Sequence, residues 1–145
     1  MNVIPLSSFH AEVIAHIHKD AFDEHWSTDE FSNLITLPAT FGFLYQTDGQ
    51  PLGFILCQGD ALEAEIITIA THLNARRQGV GRQLIKTAFD ESIRLYLEVA
   101  QDNSVARQFY RNMGFLQVGL RKKYYKRNGK ASVDALVLSL SATDK

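Results

Sequence analysis

The sequence predicts a single α/β domain built around a mixed, mostly antiparallel sheet flanked by helices. Three observations predict it. Apolar residues recur with helical spacing in some stretches and run as short β-like segments in others. Two turn signals, Asp48-Gly49 and Asn128-Gly129, each sit between β-like runs, as hairpins require. The run Ile66-Ile67-Thr68-Ile69-Ala70 feeds a glycine-bearing turn, and a helical pattern follows through Leu84, Ile85, Ala88 and Phe89.

Each element follows from local chemistry. Ser8 can cap a first helix with Val13, Ile14, Ile17 and Ala21 on one face. Ser27-Thr28-Asp29-Glu30 is a capping box, and the helix it opens carries Phe31, Leu34 and Ile35 before stopping short of Pro38. Strands are expected at 41–47 and 52–58 around Asp48-Gly49, and a third at 63–70. A helix from 79 to about 90 and a strand at 95–100 come next. Residues 104–113 read as helix, ended by Gly114. Two last strands flank Asn128-Gly129, which makes the order ααβββαβαββ.

With 145 residues, the chain is one domain by size, spanning 1–145, with a frayed tail expected at 141–145. A net charge of −1 lacks the basic excess of a general nucleic-acid binder. The single cysteine cannot form an internal disulfide, which fits a reducing cytoplasm. No apolar run approaches the roughly 20 residues that span a bilayer. Met1-Asn2-Val3-Ile4-Pro5 lacks the basic flank and apolar core of a signal peptide, so no membrane partner is expected. The five histidines have neither i,i+4 pairing nor cysteine partners, so no metal site is expected.

The most informative stretch is Arg76-Arg77-Gln78-Gly79-Val80-Gly81. A strand, a glycine turn and a helix start together build an anion site. The first helical N–H groups lack intrahelical partners, and the helix dipole places partial positive charge there. A dinucleotide fingerprint would need a third glycine where Leu84 stands, and a P-loop would need Gly-Lys-Ser/Thr. A phosphate or pyrophosphate is the expected ligand.

The Arg-x-x-Gly-x-Gly spacing resembles the pyrophosphate loop of the GNAT N-acetyltransferases. The segment Leu97-Glu98-Val99-Ala100-Gln101-Asp102-Asn103, with Phe109-Tyr110 and Gly114-Phe115, resembles their second signature. The likeness is closest to the bacterial ribosomal-protein-alanine N-acetyltransferases. Arg121-Lys122-Lys123-Tyr124-Tyr125 and Asp134-Ala135-Leu136-Val137-Leu138 resemble that group's last hairpin, and Ala21-Phe22 with Trp26-Ser27 its entry loop. Two features depart from it: the segment between Gly81 and Glu98 is short, and Ala100 stands where many relatives have Arg.

The resemblance implies acetyl-CoA as cosubstrate. Ile69, Ala70, Thr71, Arg76, Arg77, Gln78, Gly79, Val80, Gly81 and Arg82 would contact it. Asn103 would hold its pantetheine arm or simply cap the following helix. The expected acceptor is a protein N-terminus, the N-terminal alanine of a small-subunit ribosomal protein, taken up by a monomer or weak dimer. An α-amine suits this chemistry. With a pKa near 8, about a tenth of it is neutral near pH 7, against about one lysine amine in 2,500. Glu98, in an apolar strand, is the expected general base, and Tyr110 the acid that protonates the leaving thiolate. On that reading Phe109 turns toward the core. Trp26, Tyr124 and Tyr125 are the expected acceptor contacts. Two alternatives stay open: acetylation of a small amine or lysine side chain, and a silent CoA-binding module.

Overall fold

A computed structural model describes residues 2–23, 25–76, 78–127 and 130–142, without the side chains of 126, 127 and 130. Arg77, the Asn128-Gly129 turn and residues 143–145 lie outside the described residues. The chain forms two compact units, Met1–Ser92 and Ile93–Lys145.

The first unit contains β1 (Val3–Pro5), α1 (Ala11–Ala21), α2 (Thr28–Ile35), β2 (Thr40–Thr47), β3 (Gln50–Gly59), β4 (Ala64–Thr71) and α3 (Val80–Phe89). Its strands lie in the order β1-β2-β3-β4, every pair antiparallel. The hairpin at Asp48-Gly49 forms as expected. Both residues have positive φ, 52° and 77°, and Thr47 pairs with Gln50. The box at Ser27 also forms, with the Glu30 N–H donating to Ser27 Oγ at 3.1 Å and the Ser27 N–H to Glu30 Oε1 at 3.2 Å. Ser8 does not cap α1. Residues Ser8–His10 make a 3-10 turn, and the helix begins at Ala11.

Strand β3 is buried on both faces, which accounts for its unbroken apolar run Phe54-Ile55-Leu56-Cys57. Neighbouring positions on a strand point to opposite sides. Phe54 accordingly packs with Ile14, Ile17 and Phe31 of α1 and α2. A Cβ on adjacent Gly53 would sit 2.8 Å from Val80 Cγ1, so the lack of a side chain there lets the first turn of α3 lie close on the other face. Burial pushes the Cys57 thiol up to about 12.

An aromatic cluster ties α1 and α2 to this sheet. His18, 4% exposed, stacks on Trp26 with ring centroids 5.1 Å apart, and meets Phe31 edge-on at 5.2 Å. Its Nδ1 accepts the Trp26 backbone N–H at 3.2 Å. Burial first, and then the charge of His25, lower its pKa from 6.5 to about 4. A native state that resists protonation while the unfolded chain accepts it loses stability as pH falls. The contribution is complete above about pH 6.5 and declines as pH falls toward 4. We expect urea midpoints to fall more between pH 7 and 4.5 in the wild type than in His18→Gln, whose amide oxygen can still accept the Trp26 N–H. Equal losses would remove His18 as the titrating group.

The second unit contains β5 (Arg94–Ala100), α4 (Ser104–Met113), β6 (Leu116–Arg127) and β7 (Lys130–Ser141). Its strands run in the order β5-β7-β6, both pairs antiparallel. Helix α4 has the expected bounds. Asn103 Oδ1 accepts the Ala106 N–H at 3.1 Å, and Gly114 closes the helix in the left-handed region at φ 100°. The tail expected from Ser141 is partly held: Ser141 belongs to β7, and the Ala142 N–H donates to the Ile93 carbonyl at 3.0 Å.

Candidate active site

The expected residues fall into two groups, one in each unit. In the first, Ile69, Ala70 and Thr71 close β4, paired with Ile55, Phe54 and Gly53 of β3. A β-bulge precedes them: Ile66 pairs with Cys57 and Thr68 with Leu56, which leaves Ile67 as the extra residue. The chain then passes through a 3-10 turn at Leu73–Ala75, where His72 Nδ1 accepts the Asn74 N–H at 3.2 Å. Gln78 Nε2 donates to the Asn74 carbonyl at 3.2 Å and braces the loop.

Gly79 is the N-cap of α3, at φ 81° and ψ 9°. A side chain there would be strained, and the space its Cβ would point into holds no atom within 4 Å. No acidic residue occupies the first turn of α3, so nothing opposes an anion at its free N–H groups. Arg76, Gln78 and Arg82 are exposed around this entry, Gly81 is half-buried, and Val80 is buried as the anchor against the sheet. These residues fit a phosphate-bearing ligand. Arg77 lies outside the described residues.

The second group centres on Glu98 of β5, opposite Val137 of β7. Its surroundings are not the apolar ones expected from the sequence. The carboxylate receives Arg121 Nη1 at 2.8 Å on Oε1 and 3.1 Å on Oε2. That hydrogen bond is the main cause pushing the Arg121 pKa further up. The Tyr125 hydroxyl donates to the Glu98 backbone carbonyl at 3.3 Å. Tyr124 is exposed and meets Tyr125 edge-on, centroids 5.2 Å apart. The tyrosines expected to contact the acceptor therefore gather at the expected base.

Tyr110, not Phe109, takes the buried position on α4, and Phe109 is half-buried. The order is the reverse of the expected one because Tyr110 packs edge-on to Phe115, just past the Gly114 turn, with centroids 5.4 Å apart. Burial, followed by the neighbouring Tyr125, raises its phenol to about 12, so it stays protonated at neutral pH. Asn103 is engaged as the cap of α4. Trp26, in the first unit, is a half-buried anchor stacked on His18. It also borders an open cavity of about 630 Å³ with Phe9, His16, Lys19 and His25.

Arg121 was not among the site residues expected from the sequence, where it stands in the basic run that resembles the family's last hairpin; its partner Glu98 shows only in the structure. Among the described residues, no helix is long and apolar enough to cross a membrane.

Residues 11–115 match the family model described as "Acetyltransferase (GNAT) family". The chain belongs to the GNAT acetyltransferase family. As a GNAT protein it is an N-acetyltransferase with that family's α/β fold. It is 30% identical over 113 residues to the N-alpha-acetyltransferase RimI of Mycobacterium tuberculosis, covering 74% of this chain and 72% of that one. It is 28% identical over 130 residues to the ribosomal protein bS18-alanine N-acetyltransferase of Escherichia coli, covering 86% of each. The crystal structure of the ribosomal-protein-S18-alanine N-acetyltransferase from Escherichia coli superposes with a TM-score of 0.86 at 26% identity, over 96% of this chain and 92% of that one. This GNAT chain thus resembles α-amine acetyltransferases along nearly its whole length.

Proposed function

We propose that the protein transfers the acetyl group of acetyl-CoA to the α-amine of a protein N-terminus in the cytoplasm, with the N-terminal alanine of a small-subunit ribosomal protein as its target. The observation that carries this reading is the near-complete coverage, 86% of each chain, shared with an enzyme named for that reaction. Acetyl-CoA supplies a thioester whose carbonyl carbon accepts the amine and whose sulfur leaves.

The residues of the chain divide the remaining work. Backbone N–H groups at Gly79, Gly81 and Arg82 hold the pyrophosphate, helped by the charges of Arg76, Arg77 and Arg82. Gln78 braces the loop, and Val80 seats the helix it opens. Ile69, Ala70 and Thr71 offer backbone groups to the pantetheine arm and the thioester carbonyl. Asn103 keeps the start of α4 in place. Glu98 takes one proton from the acceptor ammonium, directly or through a water; the neutral amine forms the new C–N bond as the C–S bond breaks, and the nitrogen's second proton passes to the departing sulfur, which leaves as the CoA thiol. Tyr110, protonated at neutral pH, donates to the departing sulfur; with a pKa of about 12 against about 8.5 for a thiol, it acts first as a hydrogen-bond donor. Tyr124 and Tyr125 line the acceptor side, and Trp26 fixes the loop before α2.

The test is a mass-spectrometric assay of the purified protein with acetyl-CoA, a peptide pool varied at its first residues, and free polyamines. We expect acetylation confined to α-amines and led by Ala-starting peptides. Preferential modification of polyamines or lysine side chains would discard the acceptor while keeping the fold and the loop.

A further inference from the structure

We propose that Arg121 sits in the seat of the acceptor's ammonium group on Glu98, and must yield that seat before an acceptor can bind productively. The inference rests on the reading of Glu98 as the base. A guanidinium free to choose pairs fork to fork with a carboxylate, using two nitrogens for two oxygens. Here the single nitrogen Nη1 reaches both oxygens, at 2.8 and 3.1 Å. One cationic nitrogen straddling a carboxylate is the arrangement a primary ammonium would adopt.

The pair is built to open. The Arg121 side chain is 51% exposed, and ion pairs reached from solvent hold weakly. Departure does not strand the charge, because Arg121 Cζ already lies 3.8 Å from the centroid of the Tyr124 ring. A bulge produces this placement. Between the pairs Arg121↔Ala135 and Tyr125↔Val133, β6 carries three residues where β7 carries one. Lys123 adopts the left-handed region at φ 53°, and its N–H donates to Asp134 Oδ1 at 2.8 Å. In a regular strand, residues 121 and 124 would point to opposite faces. The bulge brings the Tyr124 ring under the guanidinium.

The Glu98 backbone is held independently of Arg121, by the Tyr125 hydroxyl on its carbonyl. On this inference Arg121 acts on the carboxylate as a competitor and not as its support. Only another cation can replace it without leaving the carboxylate unpaired, so the exchange selects acceptors that arrive as ammonium. Once seated, the ammonium passes one proton to Glu98 and becomes the neutral nucleophile.

The experiment compares Arg121→Met, Arg121→Lys and Glu98→Gln in steady-state assays with an Ala-starting peptide at saturating acetyl-CoA. Removing the competitor should lower the acceptor KM of Arg121→Met about two- to fivefold, with kcat within about twofold of wild type, the size of an exposed ion pair. Arg121→Lys, which keeps a cation on a flexible stem, should stay near the wild-type KM. A kcat loss of about tenfold or more in Arg121→Met would overturn the inference, because the pair would then be positioning the base. An unchanged or higher KM would overturn it equally. Full activity in Glu98→Gln would instead sink the base assignment, and the seat with it. A crippled Glu98→Gln beside an unmoved Arg121→Met KM would defeat this inference alone.

Discussion

Glu98→Gln is expected to lower kcat/KM for an Ala-starting peptide about 10²–10⁴-fold at neutral pH, the range a positioned general base contributes. Glutamine keeps the length and shape of the side chain, and its amide oxygen can still accept from Arg121. It cannot take a proton from an ammonium. Acetyl-CoA affinity should be untouched, because the anion site proposed at Gly79 and the first turn of α3 is built from other residues. Steady-state rates paired with calorimetric titration of acetyl-CoA separate the two effects. A variant that binds acetyl-CoA and keeps its rate to within threefold would move the base to another residue or to bulk water.

Phe31→Ala is expected to destabilise the protein by about 3–5 kcal/mol. Phe31 is fully buried, and its ring meets those of His18, Trp26 and Phe54 edge-on at 5.2, 5.4 and 5.6 Å. Truncation removes the apolar contact and leaves a cavity where α1, α2 and β3 converge, since packed surroundings close such gaps only in part. Urea denaturation followed by Trp26, the sole tryptophan, reports directly on this cluster. A loss under about 1 kcal/mol would mean that the site collapses readily and that α2 is held by something else.

What the sequence disclosed depended on how local the cause was. The bounds of α4, the Ser27 box and the Asp48-Gly49 turn follow from residues within a few positions of one another, and all three stand in the structure. Strand β1 escaped notice. It has three residues and ends in Pro5, and it exists only because β2 offers an edge about 40 residues away, pairing Val3 with Tyr45. The Gly79 loop was legible because glycine and the helix start carry their own conformational logic. Which of Phe109 and Tyr110 turns inward was not, because Phe115 decides it from beyond the helix end. The Arg121–Glu98 pair joins residues 23 positions apart, and the bulge that shapes it has no sequence signature of its own. For that reason the sequence showed Glu98 only as a glutamate in an apolar strand.

The buried Cys57 has a practical consequence. It is the only thiol in the chain, it is fully shielded, and its pKa of about 12 leaves almost no thiolate at neutral pH. Colorimetric reagents that count thiols will therefore register the coenzyme released at each turnover against an almost silent protein background. The same reagents, with no acetyl donor present, make Cys57 a clock: its labelling rate at the centre of β3 records how often the first unit opens to solvent.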